Sequence, residues 1–172
     1  MTEETKQRVW LCLDPGITTG MALLDDSGEL RASTVWGTAE IRQSLDTLVR
    51  ALHLSGYDIE VVIEKMPPGS YGKLAAKLEA VRHDISEIVS ETYELPVTLI
   101  PPGEWKPSRI AKTTTVKGWR FDGTPMMTHQ KDALRMGRYA IDKRRRTMER
   151  VVTKHPALGP SLLNPILDER YR

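Results

Sequence analysis

Residues 9–14, Val-Trp-Leu-Cys-Leu-Asp, form an apolar run that ends in a carboxylate. Pro15-Gly16-Ile17-Thr18-Thr19-Gly20 then leads straight into a second apolar run, Met21-Ala22-Leu23-Leu24. Two such runs joined by so short a turn read as antiparallel neighbours in a sheet. The pairing puts Asp14 at the mouth of a buried strand. A carboxylate there costs free energy unless a cation or hydrogen-bond donors compensate it. Asp14 is therefore either a residue that caps its own turn or part of a cation site.

The rest of the chain extends this start. Asp25-Asp26-Ser27-Gly28 is a turn signal. The chain thus opens as a meander of strands over residues 8–14, 20–25 and 30–36. A helix follows, with Thr38 as its N-cap, Ile41, Leu45, Leu48, Val49 and Leu52 at helical spacing, and Gly56 as its stop. Ile59-Glu60-Val61-Val62-Ile63-Glu64 is another apolar run ending in an acid. A long helix over about residues 70–94 places Leu74, Leu78, Val81, Ile85, Ile88 and Val89 on one face. Residues 96–100 are the next strand. A basic, loop-rich region continues to about residue 127, with a short helix near 103–111. Thr128 caps a last helix through 129–146 or beyond, and an irregular tail begins at about 147. Lys143 to Arg146 then complement the dipole at that helix's C-terminus. The order β-β-β-α-β-α-β-α predicts a single α/β domain over residues 1–172. Its mixed five-stranded sheet has three antiparallel strands, with later strands added in parallel through helical crossovers.

Length and composition narrow the class. A chain of 172 residues, 40% hydrophobic, suits one domain with a real core. No apolar run reaches the ~20 residues of a membrane span, and residues 1–8 lack the apolar core of a signal peptide. A cytoplasmic protein without membrane contact is expected. The single cysteine, Cys12, permits no intrachain disulfide. Net charge is only +2, yet residues 106–120 carry Lys106, Arg109, Lys112, Lys117 and Arg120 with no acid among them. A locally basic side on a near-neutral protein fits a polyanionic partner, although each such residue also serves as ordinary solvated surface. Trp105 and Trp119 flank this region and read as anchors of the loop, with contact to the polyanionic partner as the alternative.

The chemistry lies in four side chains. Strands one and four can lie side by side and present Asp14 and Glu64 at one edge. His129 and Asp132, three apart, share a face of the last helix. Ala133, Gly137 and Ala140 let that helix come close to the sheet. Three carboxylates and an imidazole suit Mg²⁺ or Mn²⁺, and two such ions about 3.5–4 Å apart are a known device for in-line phosphodiester cleavage.

Three short stretches carry a resemblance: Leu13-Asp14-Pro15-Gly16 with Thr19-Gly20, then Val62-Ile63-Glu64-Lys65, then His129-x-x-Asp132-Ala133. In this order, over most of residues 8–142, the chain resembles the RuvC-type Holliday-junction resolvases of the RNase H-like superfamily, whose members include phage-encoded ones. The resemblance implies a homodimeric endonuclease dependent on two Mg²⁺ ions (or Mn²⁺) that makes paired nicks in four-way or branched DNA. It implies direct hydrolysis to 5′-phosphate products, with no nucleotide cofactor. Asp14 would bridge the ions, Glu64 and Asp132 would each hold one, and His129 would be a ligand or orient the attacking water. The family often carries an Asp where His129 stands. It also places an aromatic side chain near Tyr71, basic residues along the DNA at positions such as Lys73, Lys77, Lys106, Arg109, Lys112, Lys117 and Arg120, and the dimer interface on the second helix. Two further readings keep the fold: a nuclease for flaps, forks or RNA, and a junction-binding module without catalysis. The first motif is also similar to the phosphate loop of actin-like kinases, but the chain lacks the second domain and loop those need.

Overall fold

The computed structural model describes residues 6–65 and 74–154. Tyr71 and Lys73 lie outside the described residues. Five strands form one sheet: β1 (Arg8–Asp14), β2 (Thr18–Asp25), β3 (Leu30–Gly37), β4 (Asp58–Glu64) and β5 (Val97–Ile100), in the order β3-β2-β1-β4-β5. β1 pairs antiparallel with β2 and parallel with β4; β2–β3 is antiparallel and β4–β5 parallel. This is the mixed α/β sheet expected from the element order.

β1 is apolar along both faces because both are covered. Val9, Leu11 and Leu13 point to one layer, made by α1 (Ile41–Leu54) and α2 (Ala75–Ser86), where Ile41, Leu45, Val49, Val81 and Ile85 are buried. Trp10 and Cys12 point to the other, where Ala133, Leu134, Met136 and Ala140 of α5 (Thr128–Lys154) cover them. Each fully buried aliphatic side chain here is worth roughly 1.5–3 kcal/mol. The helix α5 lies unusually close to the sheet. A Cβ on Gly137 would sit 2.4 Å from Cys12 Sγ and 2.6 Å from Leu24 Cδ1.

Several local expectations are corrected. Thr38 does not cap α1, which begins at Ile41; its hydroxyl instead donates to the Ile17 carbonyl at 3.1 Å and steadies the β1–β2 turn. Gly56 ends the helix with φ +77°, as its position requires. The second helix begins its regular part at Ala75 and closes in a π-helical turn over Glu87–Thr92. Leu74 is a 3₁₀ residue at the entry to α2, outside its regular α-helical part, and is 42% exposed. The basic region folds as α3 (Pro102–Trp105), α4 (Arg109–Thr113) and a small hairpin of β6 (Arg120–Phe121) and β7 (Thr124–Pro125). Thr128 is already helical. The first turn of α5 is closed by Gln130, whose Oε1 accepts from the Met127 N–H at 2.7 Å.

α5 runs on to Lys154, well past the position expected for the tail. Lys143–Arg146 therefore lie within the helix, not at its end. Lys143 pairs with Glu104 at 2.7 Å and Arg146 with Asp142 at 2.9 Å. Arg144 pairs with the buried Glu60 and lies over the Trp10 ring. Among the described residues no helix is long and apolar enough to cross a membrane.

Candidate active site

Strand alternation decides where the acids point. On β1, Trp10, Cys12 and Asp14 share the α5 face; on β4, Glu60, Val62 and Glu64 share it. The parallel register aligns Leu13 with Ile63, so Asp14 and Glu64 are the next step along two adjacent strands. The antiparallel register sets Asp14 opposite Gly20. Gly20 is what admits the helix. A Cβ there would lie 2.1 Å from the His129 carbonyl carbon and 2.6 Å from Gln130 N. Glycine inside a strand thus lets the backbone of α5 rest on β2, and His129 arrives beside Asp14.

The four side chains are brought to the same end of the sheet, with His129 against Asp14, and Glu64 and Asp132 on either side of Lys106. His129 Nδ1 lies 2.7 Å from Asp14 Oδ2. A carboxylate accepts, so Nδ1–H is assigned as the donor of this bond, and Nε2 takes no part in it. Asp14 is only 6% exposed. Burial holds its carboxyl above the ordinary value and Asp132 adds to that, against the pull of the His129 hydrogen bond and Lys106. Burial likewise raises Glu64, reinforced by the charge of Asp14, while Lys106 and a hydrogen bond from Trp105 oppose it. The carboxyl groups therefore feel one another, and positive charge brought among them is favoured.

Part of that positive charge is already present. Lys106 Nζ stands 3.6 Å from Glu64 Oε2 and 3.9 Å from Asp132 Oδ2. Lys106, expected along DNA, is thus engaged with the carboxylates. Among the described residues no three His, Cys, Asp or Glu side chains close on one point as a ligand set in their present rotamers. The donor chemistry nonetheless fits a hard divalent ion. Three of the four side chains are carboxylates, burial holds Asp14 and Glu64 above their ordinary pKa, and the Lys106 ammonium lies close to Glu64 and Asp132. A bound ion would take over the role Lys106 plays here.

Of the remaining basic residues, Lys77, Arg109, Lys112 and Lys117 are exposed. Arg120 is exposed but braces the β6–β7 turn, its Nε donating to the Gly123 carbonyl at 3.0 Å. Trp105 is an anchor, 2% exposed, and its indole N–H donates to Glu64 Oε2 at 2.9 Å. The anchoring role is legible in the sequence; the hydrogen bond to Glu64 is not. The closeness of Gly20 to α5 is not read there either, although a glycine between two apolar strand residues is a signal of close backbone approach.

A central strand flanked by one antiparallel and one parallel partner, with carboxylates at the ends of β1 and β4 and a helix laid across them, defines the RNase H-like α/β fold. Within that class, the chain has the fold of RuvC. It superposes on Thermus thermophilus RuvC in complex with a Holliday junction substrate with a TM-score of 0.61, at 19% identity, over 80% of this chain and 95% of that one. A second structure of Thermus thermophilus RuvC gives a TM-score of 0.56 at 16% identity, over 79% of this chain and 95% of that one. No protein-family model and no curated protein sequence matches the chain.

Proposed function

We propose that this chain is a divalent-metal-dependent endonuclease that cuts branched DNA, with the four-way junction as its main substrate. The observation that carries the reading is the convergence of Asp14, Glu64, His129 and Asp132 from three elements onto one face of the sheet. The fold shared with RuvC supports it. Asp14, Glu64 and Asp132 would hold Mg²⁺ or Mn²⁺, with His129 as a ligand through Nε2 or as the group that orients a water. Bound ions would activate the nucleophile and neutralise charge on the leaving 3′ oxygen. The chain's own residues supply the rest. The Asp14–His129 hydrogen bond fixes the imidazole, leaving Asp14 Oδ1 and His129 Nε2 for other partners. Lys106, displaced from the carboxylates by an ion, would be free to meet a phosphate. Lys77, Arg109, Lys112, Lys117 and Arg120 would position the backbone without reading sequence.

Paired nicking calls for two sites, and the proposed state is a homodimer. Leu99 on the edge strand β5 is 56% exposed beside an apolar cleft lined by Ile63, Ile85 and Val89. That surface is what a second copy would cover. A second reading, a junction-binding module without catalysis, is favoured by the Lys106 ammonium standing near two of the four candidate ligands.

The test is cleavage of a labelled four-way junction beside a flap, a fork, plain duplex and an RNA–DNA hybrid, with Mg²⁺, Mn²⁺ or chelator. Asp14→Asn serves as the control. Symmetric nicks confined to the junction and lost with chelator and with Asp14→Asn support the proposal. Full cleavage by Asp14→Asn sinks the assigned site, and tight junction binding without cleavage selects the second reading.

A further inference from the structure

Two of the candidate ligands are held from outside the cluster by the tryptophans that bracket the basic segment. Trp105 is buried at the end of α3, and its N–H is spent on Glu64 Oε2 at 2.9 Å. A buried indole needs one acceptor, and a half-buried carboxylate needs donors. Besides Trp105, Glu64 has the Lys106 ammonium 3.6 Å from the same oxygen, at the mouth of a strand that lines a cleft. Trp119 acts one step removed. Arg135 Cζ lies 4.7 Å from its ring centroid, and Arg135 Nη1 donates to Asp132 Oδ1 at 3.4 Å. Lys131 Nζ also lies over the ring, 5.4 Å from its centroid.

We infer that Trp105 is a positioning residue that fixes the Glu64 carboxylate for metal binding, and that Trp119 does the same for Asp132 through Arg135. Residues 102–127 are then the outer support of the site as well as its basic edge, so anything that moves this segment changes metal affinity. The inference rests on the metal-dependent reading proposed above. Partners of this outer kind typically change metal affinity or activity about 10–100-fold.

The experiment is Mn²⁺ titration of the full chain by calorimetry, for wild type, Trp105→Phe, Glu64→Gln and the double variant, with thermal unfolding in chelator alongside. Phenylalanine keeps an aromatic ring in the core and removes the donor. Trp105→Phe is expected to weaken Mn²⁺ binding about 10–100-fold. In the Glu64→Gln background the same change is expected to add less than about 2-fold, because the carboxylate it positions is gone. A merely structural tryptophan would act equally in both backgrounds. That result, or wild-type Mn²⁺ affinity in Trp105→Phe, overturns the inference while leaving the metal site standing. Wild type that binds no Mn²⁺ overturns the metal reading and the inference with it. Should Trp105→Phe fail to fold, Arg135→Gln tested against Asp132→Asn makes the same comparison on the second arm. Equal effects in both backgrounds there refute the inference too.

Discussion

Gly20→Ala is the sharpest single perturbation of the site that leaves its chemical groups in place. The added Cβ would lie 2.1 Å from His129 C, 2.2 Å from His129 O and 2.6 Å from Gln130 N. All three are backbone atoms, so no side-chain rotation relieves them. Returning the nearest contact from 2.1 Å to an ordinary 3.4 Å requires the start of α5 to retreat by about 1.3 Å. The Asp14–His129 contact, now 2.7 Å, would open toward about 4 Å and cease to be a hydrogen bond. Overpacking of this kind costs about 1–3 kcal/mol. For a chain of this length each kcal/mol shifts Tm by about 2–4 °C, so Tm should fall by roughly 2–12 °C. A misplacement of about 1 Å among reacting groups costs on the order of 100-fold in rate, so junction cleavage should fall by about that factor. The control is Gly137→Ala, whose Cβ meets the side chains of Cys12 and Leu24 about two turns further along the same helix. It should lower Tm comparably and reduce cleavage by less than about 10-fold. Scanning calorimetry and single-turnover cleavage read both variants. Gly20→Ala with wild-type Tm and rate, or Gly137→Ala with an equal loss of activity, would refute the reasoning.

Asp14 and Glu64 take up protons at higher pH in the folded chain than in the unfolded one, so stability without metal falls as pH rises from the ordinary carboxylate value through the raised ones. In chelator, Asp14→Asn should gain Tm over wild type above that window and show no gain below it; a difference independent of pH would contradict the burial argument. If Lys112 and Lys117 meet phosphates, Lys112→Gln and Lys117→Gln should each flatten the log–log salt dependence of junction binding by about 0.9. Unchanged slopes, measured by fluorescence anisotropy, would remove them from the DNA-facing set.

Much of this was legible in the sequence because it follows from period and punctuation. The apolar runs of β1 and β4, each closed by an acid, put Asp14 and Glu64 at strand ends, and the order of elements allowed those strands to be neighbours. Local reading failed at the seams. Thr38 has the right chemistry for a cap, but a tertiary acceptor, the Ile17 carbonyl, claims its hydroxyl. Leu74 has the right spacing, but it sits in the 3₁₀ entry to α2 and stays exposed.

By itself, the sequence determined the α/β class, the mixed sheet and the identity of four candidate ligands, since each depends on side-chain type and local spacing. Only the tertiary structure decided how they meet. The Asp14↔Gly20 register lets α5 touch β2, Trp105 crosses from α3 to hold Glu64, and Lys106 leaves the basic stripe to stand beside two carboxylates. The Gly20–His129, Trp105–Glu64 and Lys106–Asp132 contacts join residues 109, 41 and 26 positions apart. No local pattern encodes such a contact; packing selects it when burial and charge are satisfied together.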